Sequence, residues 1–88
     1  KVTSFSDLNS GPLKNLDLII FQNPIKQSEI VKIQGNRAYE YIKILEKKGL
    51  ILSKKVGKTK ILFPSQNLEK YFGIKIEEIK KQLEKYIK

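Results

Sequence analysis

Three clusters in this sequence have residue types that could do chemistry. Gly57-Lys58-Thr59 matches the end of a phosphate-binding P-loop, but that loop needs a glycine five residues before Gly57, and Leu52 stands there in an apolar run. The P-loop is therefore excluded. Glu77-Glu78 is a carboxylate pair of the kind that shares a proton or a metal, yet neighbours on a helix point about 100° apart, so the pair reads as a solvated face. The third cluster is basic. Lys47, Lys48, Lys54, Lys55, Lys58 and Lys60 fall within residues 47–68 without one Asp or Glu, and they hold two thirds of the net charge of +9.

Composition removes most other chemistry. The chain has no His and no Cys, which excludes imidazole proton shuttles, Cys nucleophiles, disulfide frameworks and zinc sites built on either residue. No nucleophile is accompanied by a base and no metal-ligating cluster appears, so the expectation is a protein that is not an enzyme and needs no cofactor. With 88 residues, 40% of them hydrophobic, the chain is one foldable domain, and its charge points to an acidic partner. The longest apolar run is Leu18 to Phe21, far short of a membrane span or a signal-peptide core, which gives the expectation of a soluble intracellular protein. The absence of a starting Met suggests a piece of something longer. Seventeen lysines against Arg37 alone, with 13 Ile, fit an A/T-rich genome or a heat-adapted proteome and imply no function.

The elements that would position the lysines follow from periodicity. Residues 1–11 are polar and lack either period, so they read as a lead-in or linker. Pro12 suits the start of a helix carrying Leu13, Leu16, Ile19 and Ile20 at helical spacing, and Asn23-Pro24 ends it. A second short helix opens at Gln27 or Ser28 and buries Ile30 and Ile33, with Gly35-Asn36 as the tight turn after it. The third runs from Arg37 to Lys48, with Ala38, Tyr41, Ile42 and Leu45 on one face and Glu40, Lys43 and Lys47 opposite. Leu50 to Leu52 and Ile61 to Phe63 then read as two short strands joined by a lysine-rich turn. Helix resumes from Ser65 to Phe72, and a last segment carries Ile76, Ile79, Leu83, Tyr86 and Ile87 on one stripe.

Two helices joined by a Gly-containing turn and followed by a basic hairpin predict a winged helix-turn-helix domain, mainly α with a small β-hairpin and an extra C-terminal helix. The expected division is a winged-helix domain over 12–74 and an amphipathic helix over 75–88. Two surfaces are candidate sites. Lys43 and Lys47 on the third helix, with Lys54, Lys55, Lys58 and Lys60 in the wing, could meet the phosphate backbone of duplex DNA, or form a solvated surface. Glu40, central on the same helix face, argues against reading of base sequence. The stripe Ile76, Ile79, Leu83 and Tyr86 has the spacing of a helix that binds a partner, or that packs on its own domain. Ile76 and Ile79 are expected nearer the domain, with Leu83 and Tyr86 extending past it. Tyr39 and Tyr71 are expected in the partial core.

Particular residues then resemble a known family. Ile19-Ile20-Phe21-Gln22-Asn23-Pro24-Ile25, Glu29-Ile30 and Ile33-Gln34-Gly35 resemble the second winged-helix domain of segregation and condensation protein B (ScpB), which runs Gln-Pro-Ile/Val, Glu-Ile/Val and Ile-Arg-Gly at the same separations. After the wing, Tyr71-Phe72-Gly73-Ile74-Lys75 and Ile76-Glu77-Glu78-Ile79 resemble the family's Phe-Gly-Leu-Lys and Leu-Glu-Glu-Leu signature. The resemblance covers about residues 16–79. Gln34 stands where the family usually has Arg, the wing is shortened and lacks the family's Gly-Arg and Gly-Arg-Pro, and Pro64-Ser65 replaces a Gly-Thr-Thr stretch.

What the resemblance implies is a non-enzymatic accessory subunit of chromosome condensation and segregation. It would bind the kleisin ScpA, which bridges the heads of an SMC ATPase, and would be cytoplasmic and nucleoid-associated. Duplex DNA without sequence preference is a candidate second partner. Nothing here matches the family's preceding, dimerising domain, so this chain is expected to be monomeric. A winged-helix transcription regulator is the alternative, and an adaptor unrelated to chromosomes a third class.

Overall fold

The computed structural model describes residues 10–87, and side chains as far as Lys85. The order is α1 (Ser10–Phe21), β1 (Ile25–Lys26), α2 (Gln27–Gln34), α3 (Arg37–Lys47), β2 (Ile51–Val56), β3 (Thr59–Pro64), α4 (Leu68–Phe72) and α5 (Ile76–Ile87). The three strands form one antiparallel sheet in the order β1-β3-β2. This is the expected winged helix-turn-helix arrangement, with α2 and α3 as the paired helices, β2 and β3 as the wing, and α4 and α5 added after it.

Several boundaries differ from expectation for physical reasons. Helix α1 starts at Ser10, so Ser10 and Gly11 belong to it and not to the lead-in; residues 1–9 lie outside the described residues. A Cβ at Gly11 would overlap the Tyr41 ring, so its bareness lets α1 and α3 approach. Pro12 is tolerated in the first turn, where backbone N–H groups have no intrahelical acceptor. Strand β1 was not foreseen. Its two residues gain definition only from pairing, with Ile25 opposite Leu62 and Lys26 opposite Ile61.

The wing is longer than its apolar runs suggested. Its strands extend through Val56 and back from Thr59, leaving a loop of only Gly57 and Lys58. Gly57 has φ of 62° while no residue other than glycine has positive φ among the described residues, which gives a type II′ turn with Gly57 in the first central position. Lys54, Lys55 and Lys60 are consequently strand residues, and their directions are fixed by the pleat.

The core gathers Leu13, Leu16, Ile19 and Ile20 from α1, Ile30 from α2, and Ala38, Ile42 and Leu45 from α3. Against them pack Ile25, Leu50, Ile51, Leu62, Leu68 and Phe72. Tyr71 packs against this core and meets Phe72 edge-on, 4.9 Å between centroids. Ile33 was expected inside and is 50% exposed. Gln34 explains it: Asn15 Nδ2 donates to Gln34 Oε1 at 2.8 Å and Gln34 Nε2 donates to the Gly11 carbonyl at 3.2 Å. With Ile30 and Gln34 turned toward α1, Ile33 is left on the far flank of the short helix. Tyr39, also expected to be partly buried, is 47% exposed because Ala38 and Ile42 take the inward face of α3.

Helix α5 lies along α1, and it corrects the largest expectation. Ile79 and Leu83 are both fully buried, so Leu83 does not extend past the domain; it completes the core. The helix starts where Glu69 Oε2 accepts a hydrogen bond from the Ile76 N–H at 2.8 Å, tying α4 to the first turn of α5. Along the α1–α5 seam, burial pushes the Asp17 carboxyl above its usual range, and the negative charge of Glu84 adds to the rise. Asp17 Oδ1 is buried without a hydrogen-bond partner among the described residues. Among those residues no helix is long and apolar enough to cross a membrane.

Candidate functional site: the basic face and the partner surfaces

On α3 the inward residues Ala38, Ile42 and Leu45 leave Arg37, Glu40, Lys43 and Lys47 exposed on the other side. Lys43 and Lys47 stand one turn apart with Glu40 in the same stripe, so the helix offers two ammonium groups and one carboxylate to whatever lies against it. The wing is fastened to this helix by a hydrogen bond from Ser53 Oγ to Glu46 Oε2 at 2.8 Å. Ser53 therefore identifies the side of the hairpin that faces α3.

Pairing register sorts the wing lysines from there. Lys55 shares the parity of Ser53 and of buried Ile51, and its cross-strand partner is Lys60, so these two point to the helix side. Lys54 has the opposite parity, lies beside Ile61, and points away from the helices. Lys58 sits in the turn. Lys54, Lys55 and Lys58 are exposed and Lys60 is half-buried. Thus the structure brings Lys55, Lys58 and Lys60 to the side that carries α3 and leaves Lys54 out of that group.

Between the hairpin tip and the helices lies a shallow cleft of about 180 Å³ lined by Gln27, Ser28, Tyr39, Lys58, Thr59 and Lys60. It contains donors and no carboxylate. The sequence marks Gln27 and Ser28 only as the opening of a helix and Tyr39 only as partial core, because their meeting with the wing depends on long-range packing that periodicity does not encode. The partner stripe fares differently. Ile79 and Leu83 are inside, and the side chain of Tyr86 lies outside the described residues. Of the three described, Ile76 alone is partly exposed, in a groove of about 280 Å³ with Pro64, Ser65, Gln66, Leu68 and Glu69.

In a comparison with known families, residues 1–82 fit the family described as segregation and condensation complex subunit ScpB. A search of curated proteins returns no match.

Proposed function

The chain belongs to the ScpB family, with the role in the segregation and condensation complex that membership carries, and from that premise we propose that it acts by binding: it holds the kleisin ScpA and touches duplex DNA without reading its sequence. The family match over residues 1–82 is the observation that carries the kleisin half. The winged-helix architecture agrees with it, since a fold of this kind without nucleophile or base works as a docking module. The DNA half is supported by the basic helix side of the wing, where Lys55, Lys58 and Lys60 join Lys43 and Lys47 of α3. Through the kleisin the chain meets an SMC ATPase, and the ATP chemistry belongs to that partner. On this reading the protein works at the nucleoid in the cytoplasm, and the 88-residue chain is a monomer at micromolar concentration.

Glu40 favours this reading over a transcription regulator. A carboxylate in the stripe of Lys43 and Lys47 repels the acceptor-rich floor of the major groove at most base pairs. Calorimetric titration with the cognate ScpA tests the kleisin reading, with a saturable heat expected and its absence refuting it. Competition between duplexes tests the other: a regulator prefers one site over random duplex by about 10³-fold or more, and this domain is expected to show no such ratio.

A further inference from the structure

Among the described residues, the helices cover one face of the sheet only. Ile25, Ile51 and Leu62 are buried beneath them, so residues of the opposite parity point outward. An antiparallel sheet with one wet face normally alternates apolar inside with polar outside. This wing departs from that rule. Its outward positions include Leu52 and Val56, 48% and 49% exposed, with Ile61 and Phe63 half-buried on the neighbouring strand, while lysines 55 and 60 occupy the helix side of its tip.

Register arranges the outer face in rows. Leu52 stands beside Phe63, Val56 beside Thr59, and between them one row crosses all three strands as Lys26, Ile61 and Lys54. Two lysines therefore flank the centre of an apolar patch, their backbones about 10 Å apart across two strand spacings. No Asp or Glu occurs in the three strands.

We propose that this outer face of the wing docks an acidic amphipathic segment of the partner subunit, whose apolar side chains cover Leu52, Ile61 and Phe63 and whose carboxylates reach Lys26 and Lys54. The inference rests on the reading of the chain as a kleisin-binding subunit, and adds the face and the chemistry of the contact. Charge complementarity selects this occupant. A second copy would set Lys26 and Lys54 against the same lysines, since a two-fold contact brings one patch onto itself. Nucleic acid would satisfy the lysines, but its phosphate backbone has nothing to cover four contiguous apolar side chains. An acidic amphipathic segment satisfies both, with an apolar centre and a charged rim. The C-terminal stripe no longer competes for this role, because Ile79 and Leu83 are used by the core.

The test is calorimetric titration of the full chain with its cognate kleisin. Leu52→Thr with Ile61→Thr keeps strand propensity and is expected to weaken binding about thirtyfold, as removal of central apolar anchors does. Lys54→Glu, at an exposed position that cannot disturb the core, is expected to weaken it more at low salt than at high. Unchanged kleisin affinity in Lys54→Glu and in a folded Leu52→Thr/Ile61→Thr chain overturns the inference and leaves the kleisin reading standing. Failure of the unaltered chain to bind kleisin overturns both. Loss of duplex binding in the Thr variant, with kleisin binding intact, assigns the face to nucleic acid and overturns the inference as well.

Discussion

Replacing Lys55, Lys58 and Lys60 together by Ala is expected to change how salt affects DNA binding, not which DNA is bound. Each phosphate contact releases counterions and contributes about 0.9 to the slope of log affinity against log salt. Pairing register puts Lys55 and Lys60 side by side on the helix side, and Lys58 reaches the same cleft from the turn. Three lost contacts therefore flatten the slope by about 2.7. Between 50 and 200 mM salt that corresponds to about a 40-fold smaller loss of affinity in the triple variant than in the unaltered chain. Lys54→Ala serves as the internal control, because it points to the opposite face and should leave the slope unchanged. Fluorescence anisotropy with a labelled random duplex across a salt series measures both. Equal slopes for the triple variant and the unaltered chain would falsify the assignment and return these lysines to a solvated surface. A slope that falls as much with Lys54→Ala would refute the division by face.

Other outcomes follow from burial and backbone. Leu83→Ala should cost about 2–5 kcal/mol, since Leu83 is fully buried in the α1–α5 seam, and thermal denaturation followed by circular dichroism should show a fall of about 10 °C or more. Asp17 is protonated more readily in the folded chain than in the unfolded one, so its burial weakens the fold above its raised folded value and stops doing so below about pH 4. Asp17→Asn is accordingly expected to raise the melting temperature at pH 7 and to leave it unchanged near pH 3. Gly57→Val forces a β-branched residue to positive φ in the wing turn and should lower stability measurably, whereas Lys58→Ala, at a turn position of ordinary φ, should leave it nearly unchanged in a thermal melt.

The sequence reading captured what is local. Leu13, Leu16, Ile19 and Ile20 repeat at helical spacing, and all four are in the core. The α2 and α3 boundaries hold because Gly35 and the change from helical to alternating pattern after Lys48 are both written in neighbouring residues. What failed depends on distant partners. Strand β1 is two residues long and exists only by pairing with β3, so no periodicity could announce it. The lysines of the wing looked equivalent in sequence, and only the register of β2 against β3 divides them between two faces. An amphipathic stripe states that a helix must bury one face and is silent on the occupant, which is why Leu83 could be assigned outward when α1 receives it. Gln34 was noticed as a departure from a family pattern, but its bond to Asn15 across 19 residues is visible only in the fold.

The seam between α1 and α5 also bears on the order in which the chain assembles. More than fifty residues separate Phe21 from Ile76, whereas the β2–β3 hairpin closes across two. Loop-closure entropy rises as the logarithm of the enclosed length, so joining α5 to α1 costs roughly 2–3 kcal/mol more than closing the hairpin. The helix-turn-helix and the wing are therefore expected to form from short-range contacts before α5 docks on α1. By the same reasoning it is the first element to open. Amide exchange should show lower protection in α5 than in α3, with Lys-rich residues 80–85 swinging clear as a unit while the wing and α3 remain in place. On that expectation α5 leaves as one unit, uncovering the α1 residues packed against Ile79 and Leu83, and a partner that captures the open form would meet the domain from that side.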